Sequence, residues 1–314
     1  MLKNLFLWIS IGLSVIPASA VTPANAGIEP KDSFSMRGSD SIDPLVRLWV
    51  SEFSKRHAEV AIQVESPGSN TAPPALANGE IQLGHMSREM NADELAAFQA
   101  RRGYPPTRLI VAIDALGIYV HRANPLGRIL VDQVDAIYSR TRLNGWDRPL
   151  ERWEDLGLNG PLRRFDIHFY GRDANSGTRV FFEEKVLGRG GAVRRGYQER
   201  DQWGVVEAVA KDPAGIGYGP VNYANPDVRL VPVVALGSGK GFLPSLENII
   251  SGRYPLTRWL NLYLDKAPGR PLPAALAGFL RFVLGPEGQR LVQEYGSVPV
   301  TKELVQSQLQ ALEQ

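Results

Sequence analysis

The sequence predicts an α/β fold of mostly parallel sheets flanked by helices, in a chain of 314 residues with room for about two domains. Three observations predict it. β-Branched apolar runs alternate with runs of helical period along the chain from residue 43 onward. Two runs, 109–114 and 116–120, are apolar at consecutive positions, as strands buried on both faces require. Short loops rich in glycine and serine join strand to helix at least twice.

Each element follows in order. Asp43 is placed as an N-cap with Pro44 at the first helical position, and Leu45, Trp49 and Phe53 recur at helical spacing. Residues 60–65 read as a strand, 66–71 as a loop, and 72–77 as a short helix ended by Gly79. A short strand over 81–84 leads through the loop 85–89 to a helix capped by Asn91 or Asp93 and continued through Leu95 and Phe98. After the two apolar strands, Asn124-Pro125-Leu126 turns the chain into a helix over 131–138. Alternation over 165–170 marks a strand, and 179–187 a helix closed by Gly188. The glycines at 188, 190, 191 and 196 suggest a flexible tip. A helix over 205–210 returns through 212–218 into a strand, and Pro232 demotes 230–234 towards a sheet edge. A strand over 259–264 and helices over 276–284, 289–295 and 302–314 complete the chain, with Trp49, Trp259 and Tyr263 read as core.

Composition narrows the function classes. A formal charge of +2 with no lysine- and arginine-rich stripe speaks against nucleic acid as a partner. The absence of cysteine excludes disulfides, thiolate metal sites and lipid-anchoring cysteines. His57, His85, His121 and His168 lack metal-ligand spacing, so neither a metal nor a cofactor is expected; His85, in a loop of interest, is the one worth testing. Residues 1–26 have a short basic start, about a dozen apolar residues and small-x-small cleavage candidates ending at Ala20 and Ala26. That is the layout of a signal peptide, too short to span a bilayer well, and no later segment approaches a membrane span. Its removal takes only Lys3 among the charged residues, leaving 34 basic and 33 acidic side chains in an exported, soluble chain.

One stretch concentrates chemistry. Gly171-Arg172-Asp173-Ala174-Asn175-Ser176-Gly177-Thr178 lies between a strand and a helix. Free backbone N–H groups and the positive end of a helix favour negative charge there. Arg172 adds a planar fork of donors, and Ser176 and Thr178 add hydroxyls. On the local pattern alone an anion trap and an ordinary capped helix with a surface arginine stand equal. The glycine-rich 237–241 lacks the spacing and the Lys-Ser/Thr pair of a nucleotide P-loop and reads as a linker. Ser176 is not in a Gly-x-Ser-x-Gly elbow and no His/Asp partner is identifiable, so catalysis is not expected.

The spaced motifs form an ordered set: Gly38-Ser-Asp-Ser-Ile42, Gly68-Ser69, Gly84-His-Met-Ser-Arg88, Arg172 through Thr178, Gly215-Ile-Gly-Tyr218, Tyr254-Pro-Leu-Thr-Arg258, Glu287-Gly-Gln289 and Gly296-Ser-Val-Pro299. In this set, which covers nearly the whole chain after the signal region, the sequence resembles the PstS-like phosphate-binding proteins of bacterial phosphate ABC transporters. The resemblance implies a periplasmic-binding-protein fold of the type II kind, with the ligand in a cleft between two lobes. It implies lobe I from 33–115 plus 236–314 and lobe II from 116–235, with crossings near Leu116 and Leu236. Position by position it places phosphate contacts at Ser41, Ile42 (through its backbone), Ser69, Ser87, Arg172, Ser176, Gly177 and Thr178. Arg172 could instead pair with Asp173, and Arg88 could face the cleft or a surface partner.

Ser87 departs from the family's well-studied site, which has an aspartate there to accept a hydrogen bond from protonated phosphate. A carboxylate accepts and repels an anion without a proton, whereas serine donates or accepts and so discriminates less. Asp40 or Asp173 could supply the acceptor instead. The resemblance thus implies an exported, periplasmic, monomeric binder of inorganic phosphate that serves an ABC permease and inserts into no membrane. A binder of sulfate or molybdate, a phosphate sensor without a transporter, and a periplasmic phosphatase are the competing readings.

Overall fold

The computed structural model describes residues 32–188 and 190–313; the expected signal peptide and its cleavage sites lie outside them. The first half runs β1 (Asp32–Gly38), α1 (Asp43–Ser54), β2 (Val60–Glu65), α2 (Ala72–Asn78), β3 (Leu83–Met86) and α3 (Ala92–Arg102) into the long β4 (Thr107–His121). Next come β5 (Ile129–Leu130), α4 (Val131–Tyr138), β6 (His168–Arg172), α5 (Gly177–Phe182), β7 (Gln198–Arg200), α6 (Gln202–Lys211), β8 (Gly215–Pro220), β9 (Val228–Leu230) and β10 (Val233–Val234). The chain closes with β11 (Gly241–Phe242), α7 (Leu246–Ile250), β12 (Thr257–Leu264), α8 (Ala274–Leu284), α9 (Pro286–Tyr295), β13 (Val298–Pro299) and α10 (Lys302–Glu313).

The main sheet has the order β2-β1-β3-β12-β4-β8-β6-β7, with β9 and β13 also paired to β4. Parallel pairs lie towards both ends: β1 with β2 and β3, and β6 with β7 and β8. The centre is antiparallel, because β12 and β4 run opposite to each other and to their flanking strands β3 and β8. The two apolar runs expected as separate strands are one. β4 pairs with β12 over Thr107 to Ala115 and with β8 from Leu116 to Val120, so a single strand passes between the two halves.

Each half has its own core. Met36, Leu45, Trp49, Val111, Leu262 and Phe279 belong to the first. Ile118, Tyr138, Trp153, Phe182, Ile216 and Tyr254 belong to the second, which also takes in Ile249 and Leu256. Tyr263 is core as expected; Trp259, four residues earlier on the strand, is not, being 39% exposed. By alternation alone the two positions would share a face, but the pairing of β12 with β4 shifts register between Leu260 and Asn261, which lie between them.

Local chemistry resolves several expectations. Asn91, not Asp93, caps α3, in a reciprocal capping box with Glu94. Pro232 separates β9, which pairs with β4, from β10, which joins a small sheet with β5 and β11. Beyond Gly191 the chain bonds back to the end of α4: Arg140 N donates to Ala192 O at 2.9 Å and Arg194 N to Tyr138 O at 2.8 Å.

Candidate functional site

Three strand-to-helix connections of the first half and one of the second meet where the halves face each other. The chain leaves β1 through Ser39 into a 3-10 turn, Asp40–Ile42, that starts α1. It leaves β2 through Gly68 into a second such turn, Ser69–Thr71, that starts α2. Ser87 and Arg88 follow β3, and 173–176 join β6 to α5. Strand ends facing helix starts collect backbone donors and hydroxyls at one place.

The result is a buried cluster of hydroxyls. Ser39, Ser41, Ser69, Ser87, Ser176 and Thr178 are each no more than 1% exposed. Ser39 Oγ donates to Ser87 Oγ at 2.9 Å, and Ser69 Oγ lies 3.3 Å from the same oxygen. Ser41 Oγ lies 2.7 Å from Thr178 Oγ1, joining the halves. Ser176 is both a cap and a cluster member: its Oγ accepts from Thr178 N at 3.2 Å. The capped helix and the polar pocket, alternatives in the sequence, are one structure. Ile42 puts its side chain into the first core, leaving its backbone at the turn.

Gly177 is needed for close approach. A Cβ there would stand 2.2 Å from Ser69 Oγ and 2.8 Å from Ser87 Oγ. Gly68, at φ +125°, meets the other side of the loop, where a Cβ would come within 2.5 Å of Asn175 O. Asn70 completes this seam, donating through Nδ2 to Ala174 O at 2.8 Å.

Two arginines, both charge-compensated, flank the hydroxyls. Arg172, fully buried, donates from Nη1 to Gln202 Oε1 at 2.6 Å and to Ser41 Oγ at 3.3 Å, and pairs through Nη2 with Asp40. Asp173 Oδ2 is farther, at 3.6 Å, and its other oxygen accepts from Asn175 N. Burial pushes the Asp40 carboxyl above its ordinary value, against the opposing pull of Arg172. The second arginine was not expected here. Arg258 of β12 donates from Nη1 to Thr178 Oγ1 at 2.9 Å while Nε and Nη2 hold Asp114 Oδ2 at 3.0 and 2.8 Å. The Tyr254-Pro-Leu-Thr-Arg258 motif was its only signal in the sequence.

Other candidates are turned away. Arg88 forks onto Glu94, with Nη2 at 2.6 Å from Oε1, and holds Asn70 Oδ1 through Nε at 3.0 Å. His85 is wholly buried beneath the cluster, but its Nε2 meets Ser66 Oγ at 3.1 Å, not a cluster hydroxyl. Among the described residues no group of three or more His, Asp or Glu side chains could hold a metal ion. A cavity of about 820 Å³ opens beside Arg258, between the Arg88 loop and the helix after Gly177. On the opposite side Asp40, Asp43, Arg47 and Gln202 line a smaller cavity of about 330 Å³.

Chemically, the site gathers buried hydroxyls beside two guanidiniums, each paired with a carboxylate. Buried hydroxyls and paired guanidiniums suit an oxyanion held by hydrogen bonds rather than by a counter-ion.

Comparison with known proteins gives the family and the fold. The family model of the PBP superfamily domain matches residues 23–287. The phosphate-binding protein PstS of Pseudomonas aeruginosa is 38% identical over 281 residues, covering 89% of this chain and 87% of its own. A candidate phosphate ABC transporter substrate-binding protein from Clostridium perfringens, solved with bound phosphate, superposes with a TM-score of 0.72 at 24% identity, over 86% of this chain and 100% of that one. An ABC-type phosphate transport receptor from Vibrio cholerae gives 0.67 at 20% identity, over 85% and 100%.

Proposed function

The chain belongs to the PBP superfamily, in the group of the PstS phosphate-binding proteins, and from that premise we propose that it captures inorganic phosphate at the buried hydroxyl cluster and delivers it to an ABC permease. It is a solute-binding protein, not an enzyme. The cluster hydroxyls bond to one another and to arginines.

The observation that carries the reading is the convergence of Ser39, Ser41, Ser69 and Ser87 from one half and Arg172, Ser176, Gly177 and Thr178 from the other on one buried place. We assign phosphate contacts to Ser41, the backbone of Ile42, Ser69, Ser87, Arg172, Ser176, Gly177 and Thr178. Several charge-assisted bonds of about 1.5–3 kcal/mol each support tight binding without a metal. Asp40 is the carboxylate tied to this set through Arg172, and we assign to it the acceptor role that Ser87 cannot fill alone.

Capture requires the halves to part and close. We take lobe I as 32–115 with 257–313 and lobe II as 116–256. Strands β4 and β12 form the hinge. We place the return crossing at residue 257 rather than near Leu236, a choice supported by the packing of Ile249, Tyr254 and Leu256 into the second core. Phosphate, touching both lobes, favours the closed arrangement, whose surface then reports occupancy to the permease. Among the described residues no helix is long and apolar enough to cross a membrane. The signal-like layout of 1–26 supports an exported, periplasmic protein.

Titration calorimetry of the chain lacking residues 1–26 tests the reading. Saturable, one-to-one heat with inorganic phosphate that Arg172→Ala removes is the expected result, and a flat titration of the parent overturns it.

A further inference from the structure

Arg258 and Asp114 are direct register partners on β12 and β4, one residue before β4 leaves the first half of the sheet for the second. Their side chains are 2% and 3% exposed. Nε and Nη2 both donate to Asp114 Oδ2, leaving its buried Oδ1 without a partner, and Nη1 donates to Thr178 Oγ1 across the lobe boundary. A continuous polar chain results: Asp114, Arg258, Thr178, Ser41, Arg172, Asp40.

The chain fixes which way its hydroxyls can donate. Each hydroxyl has one hydrogen and two lone pairs. Thr178 Oγ1 accepts from Arg258 and Ser41 Oγ from Arg172, so a guanidinium occupies one lone pair at either end. One of the two hydrogens closes the 2.7 Å bond between the hydroxyls. The other must leave the pair and seek an outside acceptor. Arginine, always charged, cannot reverse this polarity.

We propose that Arg258 is a positioning residue for anion binding, which sets the Thr178–Ser41 hydroxyl pair as a donor to phosphate oxygens while Asp114 compensates its charge. This rests on the assignment of phosphate to the cluster. It assigns Arg258 no direct contact with phosphate. Removing Arg258 frees a lone pair on Thr178, which can then accept from a protonated phosphate oxygen. The loss of affinity is therefore greater for the dianion than for the monoanion.

A double-mutant cycle on phosphate affinity tests this, with Arg258→Met made together with Asp114→Leu so that no buried carboxylate is stranded. The paired substitution should weaken phosphate binding by roughly tenfold, and Thr178→Val alone by a similar factor. Combined, they should lose at least roughly fivefold less than the product of the two, because both act through one hydrogen bond. The loss in the paired variant should also be larger above the second pKa of phosphate than below it. Independent, multiplying losses, or a loss that ignores pH, overturn the proposal. Arg258→Lys keeps the charge beside Asp114 and loses the fork. It should fold and still bind several-fold more weakly, and unchanged affinity in it is equally contrary. If the parent itself gives no heat with phosphate, the functional assignment fails and this proposal with it; a parent that binds, with additive losses, defeats only the role of Arg258.

Discussion

Ser41 Oγ and Thr178 Oγ1 lie 2.7 Å apart although 137 residues separate them. Ser41 stands in the turn that begins α1, and Thr178 in the first turn of α5. Both are shut off from solvent, so their hydrogen bond is strong only while the two halves stay together. A short chemical link thus couples the state of the cleft to the state of the site.

Ser41→Ala should weaken phosphate binding by roughly tenfold, about 1.4 kcal/mol, the usual worth of a buried hydroxyl bond to a charged partner. Combined with Thr178→Val the loss should fall short of the product, as both substitutions remove the same link. Calorimetric affinities of the three variants, with circular dichroism to show that each folds, check this.

Gly177→Ala tests the close approach itself. The added methyl would meet Ser69 Oγ at 2.2 Å and Ser69 Cβ at 2.6 Å, across the lobe boundary. Gly177 opens a helix with ordinary backbone angles, so alanine costs the local fold little. The halves must give way, at about 1–3 kcal/mol. Phosphate affinity should drop by roughly ten- to a hundredfold with a small change in unfolding midpoint. In saturating phosphate, small-angle scattering should find this variant more open than the parent.

His85 predicts a pH dependence. Burial first, and then Arg47, hold its imidazole down, with Asp43 pulling the other way, to a pKa of about 4 from 6.5. Ser66 Oγ spends its hydrogen on Asp43 Oδ1, so Nε2 must carry the hydrogen facing Ser66, and the buried Nδ1 has no partner to receive a second proton. As pH falls through 6.5 the unfolded chain takes up a proton that the folded chain refuses until about 4. Stability is therefore full above the unfolded pKa and declines between those values, by about 3 kcal/mol. Denaturant unfolding at both ends of the window should show this loss, and His85→Gln should reduce it.

Much of this was legible because it is local. The helix stop at Gly188 and the buried run over 109–120 follow from short patterns with a physical cause, whereas Ser41, Ser69 and Ser87 are placed by the family resemblance of the spaced motifs. Long-range partners were not. Nothing near Arg88 says that Glu94 and Asn70 satisfy it, and nothing near Arg258 says that its fork reaches both Asp114 and Thr178. Trp259 was misplaced because an aromatic in an apolar strand looks like core from either face. Periodicity is equally silent on the packing of Ile249 and Tyr254 into the second core, since those contacts leave no trace in spacing.

The central claim is that this cluster selects phosphate although serine, not aspartate, occupies position 87. Competition calorimetry with inorganic phosphate and sulfate, across the second pKa of phosphate, measures it most directly. Saturable binding of phosphate that sulfate displaces only at much higher concentration is expected, with Asp40→Asn narrowing the difference. Sulfate binding as tightly as phosphate, at any pH in that range, would contradict it.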